Sequence, residues 1–271
     1  MTEQRLDAAL AARGLARSRT HAQEMLDKGV VRVDGKPIIK AAFKVSDESV
    51  IEVEGLDHYV SRAAHKLIAA LDAFDVTVTG RQAMDVGAST GGFTQVLLER
   101  GVSHVVALDV GHNQISPKFR GDDRVTIVEG VNARYLTRAN LAGILGKTYE
   151  PNLVVADLSF ISLTHVIPAL VATSAPDADF VLLIKPQFEV GRTGVREGIV
   201  TNPPLREDAV NAVLWNAWDA GLETAGMVSS PILGGAGNHE YVAWFRAGRD
   251  LNPSQWSDTI HKLAGGARGS Q

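Results

Sequence analysis

The stretch DVGASTGGF, Asp85 to Phe93, decides how the whole chain is read. Taken from Gly87, GASTG fits the G-x-S-x-G of a nucleophilic serine elbow, and Ser89, Asp157 and His239 even follow that fold's chain order of Ser, Asp, His. Taken whole, it is an acid followed by clustered glycines between an apolar strand and a helix, the pattern of a nucleotide-binding loop. Position separates the two. A nucleophile elbow sits in mid-sheet, after strands that supply half of its oxyanion hole, whereas this loop ends the first strand of its domain. The spacing G-x-x-x-G-G of Gly87, Gly91 and Gly92 also departs from G-x-G-x-x-G, so no pyrophosphate cradle is expected.

Working outward, RQAMDVG, HVVALDV, RVTIVEG, PNLVVADLSF and DADFVLLIKPQF each read as a buried strand with helical segments between them. Two more strand-like runs, AGMVSSPI and EYVAWFRA, follow a helix that begins near Pro204. The expectation is an α/β fold, a doubly wound, mostly parallel sheet of seven strands in the layout of Rossmann-like methyltransferases. A helix RAAHKLIAALDAF precedes the first strand. Asn202-Pro203-Pro204 resembles the N-P-P-[YF] of amino-group methyltransferases, but Leu205 replaces the aromatic residue, and a proline-started helix is the better reading.

Asp109 ends the second strand, 24 residues after Asp85, where it can take both hydroxyls of a ribose, while Asp85 can face a cation or an amino group. That pairing points to S-adenosylmethionine rather than a nicotinamide dinucleotide. The expected cofactor set is Asp85, Gly87, Ala88, Ser89, Thr90, Gly91, Gly92, Phe93, Asp109, Asn132 and Asp157. Asp157 ends the fourth strand and Lys185 the fifth, so both emerge at the cofactor edge. Lys66, on the preceding helix, and Glu240, opening the last strand, are expected to join them. Such a set suits methyl transfer to a ribose 2'-hydroxyl, a poor nucleophile that must lose or share its proton while held in line. Lys185 is either the base or a stabiliser of the developing alkoxide. Phe160 lines the adenine or target pocket, or is a core aromatic.

The first 55 residues form a separate small module. Leu6, Ala9 and Leu10 recur at helical spacing with Gly14 as a stop, and Ser18 caps a second helix with Ala22, Met25 and Leu26 on one face. VVRVDGKPI carries the hairpin signal Asp34-Gly35, and SVIEVEG adds a strand. Residues 1–45 carry a local charge of +4 against -8 for the remainder, which assigns polyanion binding to this module. The expected boundaries are 1–55 for the module, 56–61 for a linker and 62–271 for the catalytic body, with GGARGS as a frayed tail.

Composition excludes other classes. With 45% hydrophobic residues in 271, a proper core is available. No run of 18 apolar residues and no signal core exist, so a cytoplasmic protein is expected, with no membrane partner. Zero cysteines exclude disulfides and thiolate catalysis, and the eight histidines show no ligand spacing, so no metal is expected. Nothing points to an obligate protein partner.

Residues 5–45, with RLD, GLARSR and G-x-V-x-V-x-G, resemble an S4 domain, a small RNA-binding module. The resemblance implies phosphate contacts from Arg5, Arg13, Arg17, Arg19 and Lys36. Arg62, and Arg192 and Arg196 on the loop EVGRTGVREG, are expected to add RNA contacts from the body. The body resembles the FtsJ-type ribose 2'-O-methyltransferases, whose Lys, Asp, Lys, Glu tetrad falls on Lys66, Asp157, Lys185 and Glu240. The fusion, with SRAAHKL, DVGASTGGFT, ADLSFISL and KPQFEVG, resembles the TlyA (hemolysin A-like) family along almost the whole chain. The resemblance implies methylation of cytidine ribose in 16S or 23S ribosomal RNA, free or in subunits, affecting susceptibility to capreomycin-type antibiotics. A membrane-acting cytolysin and an inactive RNA-binding protein are the alternatives.

Overall fold

The structure, a computed structural model, describes residues 3–13, 15–16, 18–53, 58–191 and 194–265. Gly14, Arg17, Arg192, Leu56 and Asp57 of the linker, and the GGARGS tail beyond Gly265 lie outside the described residues. The chain divides into two compact units, residues 1–58 and 59–271.

In the first unit, β1 (Gln4–Arg5), α1 (Leu6–Ala12), α2 (Arg19–Asp27), β2 (Val31–Val33), β3 (Lys36–Pro37), β4 (Lys44–Val45) and β5 (Ile51–Val53) follow in order. Ser18 accepts the His21 N–H at 3.2 Å and so caps α2, whose Ala22, Met25 and Leu26 are buried. Asp34 and Gly35 both have positive φ, 49° and 77°, the geometry that turns β2 into β3. β3, β2 and β5 form one small sheet, and the two-residue pairing of β1 with β4 is an addition that no periodicity announces. Leu6, Leu10, Leu26 and Val31 are fully buried at its centre.

In the second unit, α3 (Ala64–Ala73) leads into β6 (Gln82–Val86), α4 (Gly92–Glu99), β7 (His104–Leu108), β8 (Val125–Val128), α5 (Arg138–Leu145) and β9 (Leu153–Ala156). Then come α6 (Ile167–Thr173), β10 (Asp179–Ile184), α7 (Pro186–Glu189), α8 (Pro203–Asp219), β11 (Leu222–Ser229), β12 (Tyr241–Ala247) and α9 (Ser257–Leu263). The sheet order is β11-β12-β10-β9-β6-β7-β8. β8, β7, β6, β9 and β10 run parallel, and β12 is antiparallel to both its neighbours. The seven-stranded, mostly parallel expectation therefore holds. α9 lies in a stretch where no element was expected.

Strand residues alternate between two cores because successive side chains leave opposite faces of the sheet. Met84, Val106, Val154, Phe180 and Leu182 pack on one face with Leu141 of α5, Leu170 of α6 and Val213 of α8. Ala83, Val105, Leu153, Val155 and Val181 pack on the other with Leu67 of α3 and Leu97 of α4. The strand order reverses between β6 and β9, and their C-terminal ends open the crevice where such sheets bind ligands.

Candidate active site

The glycine loop after β6 occupies that crevice. Gly87, at φ +79°, brings the loop against the next strand so closely that a Cβ there would stand 2.8 Å from the Asp157 carbonyl oxygen. A Cβ at Gly91, at φ +94°, would run into the Phe119 ring. Both positions exclude a side chain twice over, by backbone conformation and by space. Gly92 opens α4 beside Ser61, and the Gln95 side chain on α4 accepts the Val60 N–H at 3.0 Å.

Asp85 is fully buried at the end of β6. Thr94 Oγ1 donates to its Oδ2 at 2.6 Å, and its Oδ1 has no partner. Burial drives the carboxyl up to about 7, with the nearby Asp157 and Asp109 charges adding to the shift and the Thr94 contacts opposing it. An acid held like this favours a cation at Oδ1. Asp109, after β7, accepts the Ser89 N–H at 2.8 Å and the Gly111 N–H at 2.7 Å, so it braces the glycine loop. Each of its oxygens keeps a lone pair for a hydroxyl.

The cleft is lined by Asp85, Gly87, Ala88, Ser89, Gly92 and Phe93 together with Asp157 and Lys185. Ser61, Ala63 and Ser159 also line it, and sequence reasoning missed them although they sit within SRAAHKL and ADLSF. Thr90 and Gly91 instead back the loop, Thr90 through its carbonyl to the Ser116 N–H at 3.2 Å. Asp109 and Asn132 lie outside this lining. Asn132 caps the turn after β8 by accepting the Arg134 N–H at 3.0 Å.

The four polar residues expected from three strand ends and a helix come together. Lys66 Nζ donates to Glu240 Oε2 at 2.6 Å and stands 3.7 Å from Asp157 Oδ2. Lys185 Nζ is 2.6 Å from Asp157 Oδ1 and donates to Ser159 Oγ at 2.9 Å. Lys66, Lys185 and Glu240 are 7%, 8% and 3% exposed, so two lysines and two carboxyl groups share a nearly dry site. Gln187 adds an amide 3.4 Å from Glu240 Oε1.

Other expectations separate. Ser89 is exposed and donates to Gln114 Oε1 at 3.4 Å, His239 is exposed, and Asp157 is engaged by lysines, so the hydrolase arrangement does not form. Phe160 is 92% exposed with φ +65°, which removes it from the core, and its ring lies 5.3 Å from that of Phe188. Asn202 and Pro203 open α8 as a proline-started helix.

In the first unit the arginines differ in what they can offer. Arg13 donates to the carbonyls of Ser49 and Ser46, each at 2.6 Å, so it ties the module together. Arg5 and Arg19 both engage the buried Asp7 and hold its carboxyl down at about 2, yet their side chains stay 45% and 61% exposed. Lys36 is exposed on β3. In the second unit Arg62 and Arg196 are exposed.

With this geometry in view, comparison with known proteins is direct. The FtsJ-like methyltransferase profile matches residues 59–247, and the S4 domain profile matches residues 4–51. The 16S/23S rRNA (cytidine-2'-O)-methyltransferase TlyA of Mycobacterium tuberculosis is 48% identical over 95% of this chain and 96% of its own. Hemolysin A of Brachyspira hyodysenteriae is 39% identical over 89% of this chain and 99% of its own. A solved structure from Streptococcus thermophilus that carries a hemolysin name is 34% identical, with a TM-score of 0.74 over 98% of this chain and 97% of that one. An S4 domain followed by a methyltransferase sheet whose crevice holds Lys66, Asp157, Lys185 and Glu240 thus places the chain in the TlyA (hemolysin A-like) family of FtsJ-like methyltransferases.

Proposed function

We propose that the protein is an S-adenosylmethionine-dependent ribosomal RNA methyltransferase that modifies the 2'-hydroxyl of cytidine. The observation that carries this reading is the meeting of Lys66, Asp157, Lys185 and Glu240 at the mouth of the glycine-loop cleft. The name of the M. tuberculosis relative supplies the nucleoside and the RNA.

The residues present suit S-adenosylmethionine. Its ammonium matches the unpartnered Oδ1 of Asp85, its ribose hydroxyls match Asp109, and Gly87, which lines the cleft, permits the close approach of the loop to Asp157 that shapes it. When bound, it supplies an electrophilic methyl group on a sulfonium. Every other task falls to the chain. Lys185 is ion-paired with Asp157 and donates to Ser159, and its ammonium has donor capacity left for the 2'-oxygen of the target. That contact strengthens as negative charge grows on the oxygen while the hydroxyl proton leaves to solvent, and groups of this kind contribute about 10²–10³-fold to rate. Asp157 and Glu240 hold the two ammonium groups in place and balance their charge, and Lys66 links the two carboxylates. Phe160, exposed beside Phe188, offers a face on which a base taken out of an RNA stack can rest.

The S4 unit anchors the RNA through Arg5, Arg19 and Lys36, and Arg62 and Arg196 extend the contact on the body; Arg17 and Arg192 complete the set. A ribosomal substrate places the protein in the cytoplasm, and loss of the modification would alter susceptibility to capreomycin-type antibiotics. Hemolysin names among the relatives raise a membrane role, but no helix of the described residues is long and apolar enough to cross a membrane. The test is to incubate the protein and S-adenosylmethionine with 30S and 50S subunits from a strain lacking the activity. Alkali-resistant linkages would then be mapped along 16S and 23S RNA. A new resistant linkage 3' of a cytidine supports the proposal, and none in either RNA opposes it.

A further inference from the structure

The short helix α7 follows Lys185 directly, and its polar side chains reach in two directions. Gln187 turns toward Glu240. Glu189 turns to the loop after β9, where its Oε2 accepts from Ser162 Oγ at 2.5 Å and its Oε1 accepts the Leu163 N–H at 3.0 Å. That loop is the one carrying Asp157, Ser159 and Phe160. One carboxylate therefore joins the segment after β9 to the segment after β10, the two that hold the Lys185–Asp157 ion pair.

Main-chain pairing does not do this. The β9–β10 ladder ends at Leu182 with Ala156, before either segment leaves the sheet. Beyond it, the loop also carries Phe160 at φ +65°, a conformation that costs a non-glycine residue roughly 1–2 kcal/mol and persists only where neighbours enforce it. Burial pushes the Glu189 carboxyl up, opposed by its contacts with Leu163 and Ser162, so the group is held at a cost and held by these two donors.

We propose that Glu189 is a positioning residue for methyl transfer: a latch that closes the Asp157 loop onto the Lys185 turn and thereby sets the Lys185–Asp157 contact and the Phe160–Phe188 pair. The inference rests on the methyl-transfer reading above. Glu189 does not touch the reacting atoms. Its effect passes through Ser162 and Leu163 to the residues that do.

Three variants of the full chain separate this from a general packing role. Glu189→Ala removes both contacts. Glu189→Gln keeps them, since its carbonyl can accept the Leu163 N–H and its amide can donate to Ser162 Oγ. Ser162→Ala removes one. Each is measured for binding stoichiometry and affinity toward S-adenosylmethionine, for kcat and KM on undermethylated subunits, and for hydrogen exchange at residues 158–165. Glu189→Ala should lower kcat by about tenfold or more, because displacements near 1 Å can cost 10²-fold, with cofactor affinity unchanged. Glu189→Gln should restore most of the loss, and Leu163 should exchange faster in Glu189→Ala only. Wild-type kcat in Glu189→Ala, or a Glu189→Gln as slow as Glu189→Ala, overturns the latch. Should Glu189→Ala not bind cofactor stoichiometrically, Ser162→Ala decides: a partial kcat loss at full cofactor binding supports the latch, and wild-type kcat refutes it. Should the wild type transfer no methyl group to either subunit, the methyl-transfer reading fails, and the exchange comparison alone decides whether Glu189 holds the loop.

Discussion

Lys66 Nζ and Glu240 Oε2 lie 2.6 Å apart although 174 residues separate them in the chain. The pair joins the helix that precedes the sheet to the strand that completes it, and both side chains are almost wholly buried. A buried pair gives little net stability, but removing one member strands the other charge. Glu240→Gln should therefore cost about 3–5 kcal/mol of unfolding free energy, measured by urea titration. Lys66→Met combined with Glu240→Gln should cost less than the two single changes added together. Simple additivity would show that the two side chains do not interact.

Asp85 sets a pH limit on cofactor binding. Its carboxyl, raised to about 7 by burial, is neutral below that pH and charged above it. A cationic ligand needs the charged form, so affinity is full above pH 7 and falls as pH drops through 7, by about tenfold per unit. A free α-amino group, near 7.7–8.0, is almost wholly charged below about pH 6.7 and mostly charged at about 7.5, so the fall in affinity below pH 7 reports Asp85. Calorimetric titration from pH 5.5 to 7.5 measures it, and Asp85→Asn should give weak binding with no such slope. A flat wild-type profile would detach Asp85 from the ligand.

Gly87→Ala should abolish cofactor binding, because the added methyl group meets the Asp157 carbonyl oxygen in a backbone conformation that alanine resists. Gly235→Ala, with nothing within 4 Å of the new Cβ, is the matched control and should bind normally. Equilibrium dialysis of the two variants checks this.

In the S4 unit, two basic residues should fail in different ways. Arg13→Ala releases three backbone carbonyls and should lower the melting temperature. Lys36→Ala should leave melting unchanged, weaken binding to ribosomal RNA and reduce the salt slope by about one. A Lys36→Ala protein with wild-type RNA affinity at all salt concentrations would take β3 out of the interface.

Phe160→Ala should leave stability within about 0.5 kcal/mol, since the ring is 92% exposed, while lowering kcat/KM for subunits by about tenfold. Loss of stability without loss of transfer would assign the ring a packing role instead.

These predictions draw on residues that the sequence reveals unequally. β9 and β10 are legible because strands covered on both faces must be short apolar runs, and DFVLLI leaves no other reading. Strand order is not, since the placement of β12 between β10 and β11 depends on pairings that no local pattern encodes. Lys66 and Glu240 can be placed at one sheet edge from the periodicity of their elements, but their 2.6 Å contact is a tertiary fact. Charge counts cannot distinguish Arg13, turned inward to carbonyls, from Lys36, turned outward to solvent. Phe160 is opaque for a different reason. Nothing in ADLSF signals a positive φ, and an aromatic residue after a buried strand ordinarily continues the core. Glu189 and Ser162, 27 residues apart, are joined only by the folding of two loops.

The most direct measurement compares wild type with Lys185→Ala in transferring a labelled methyl group from S-adenosylmethionine to subunits that lack the modification. Label on a cytidine 2'-oxygen, lost in the variant while cofactor affinity is retained, is the predicted result. No label on either subunit, or equal label from the variant, would contradict the assignment of Lys66, Asp157, Lys185 and Glu240 as a methyl-transfer site.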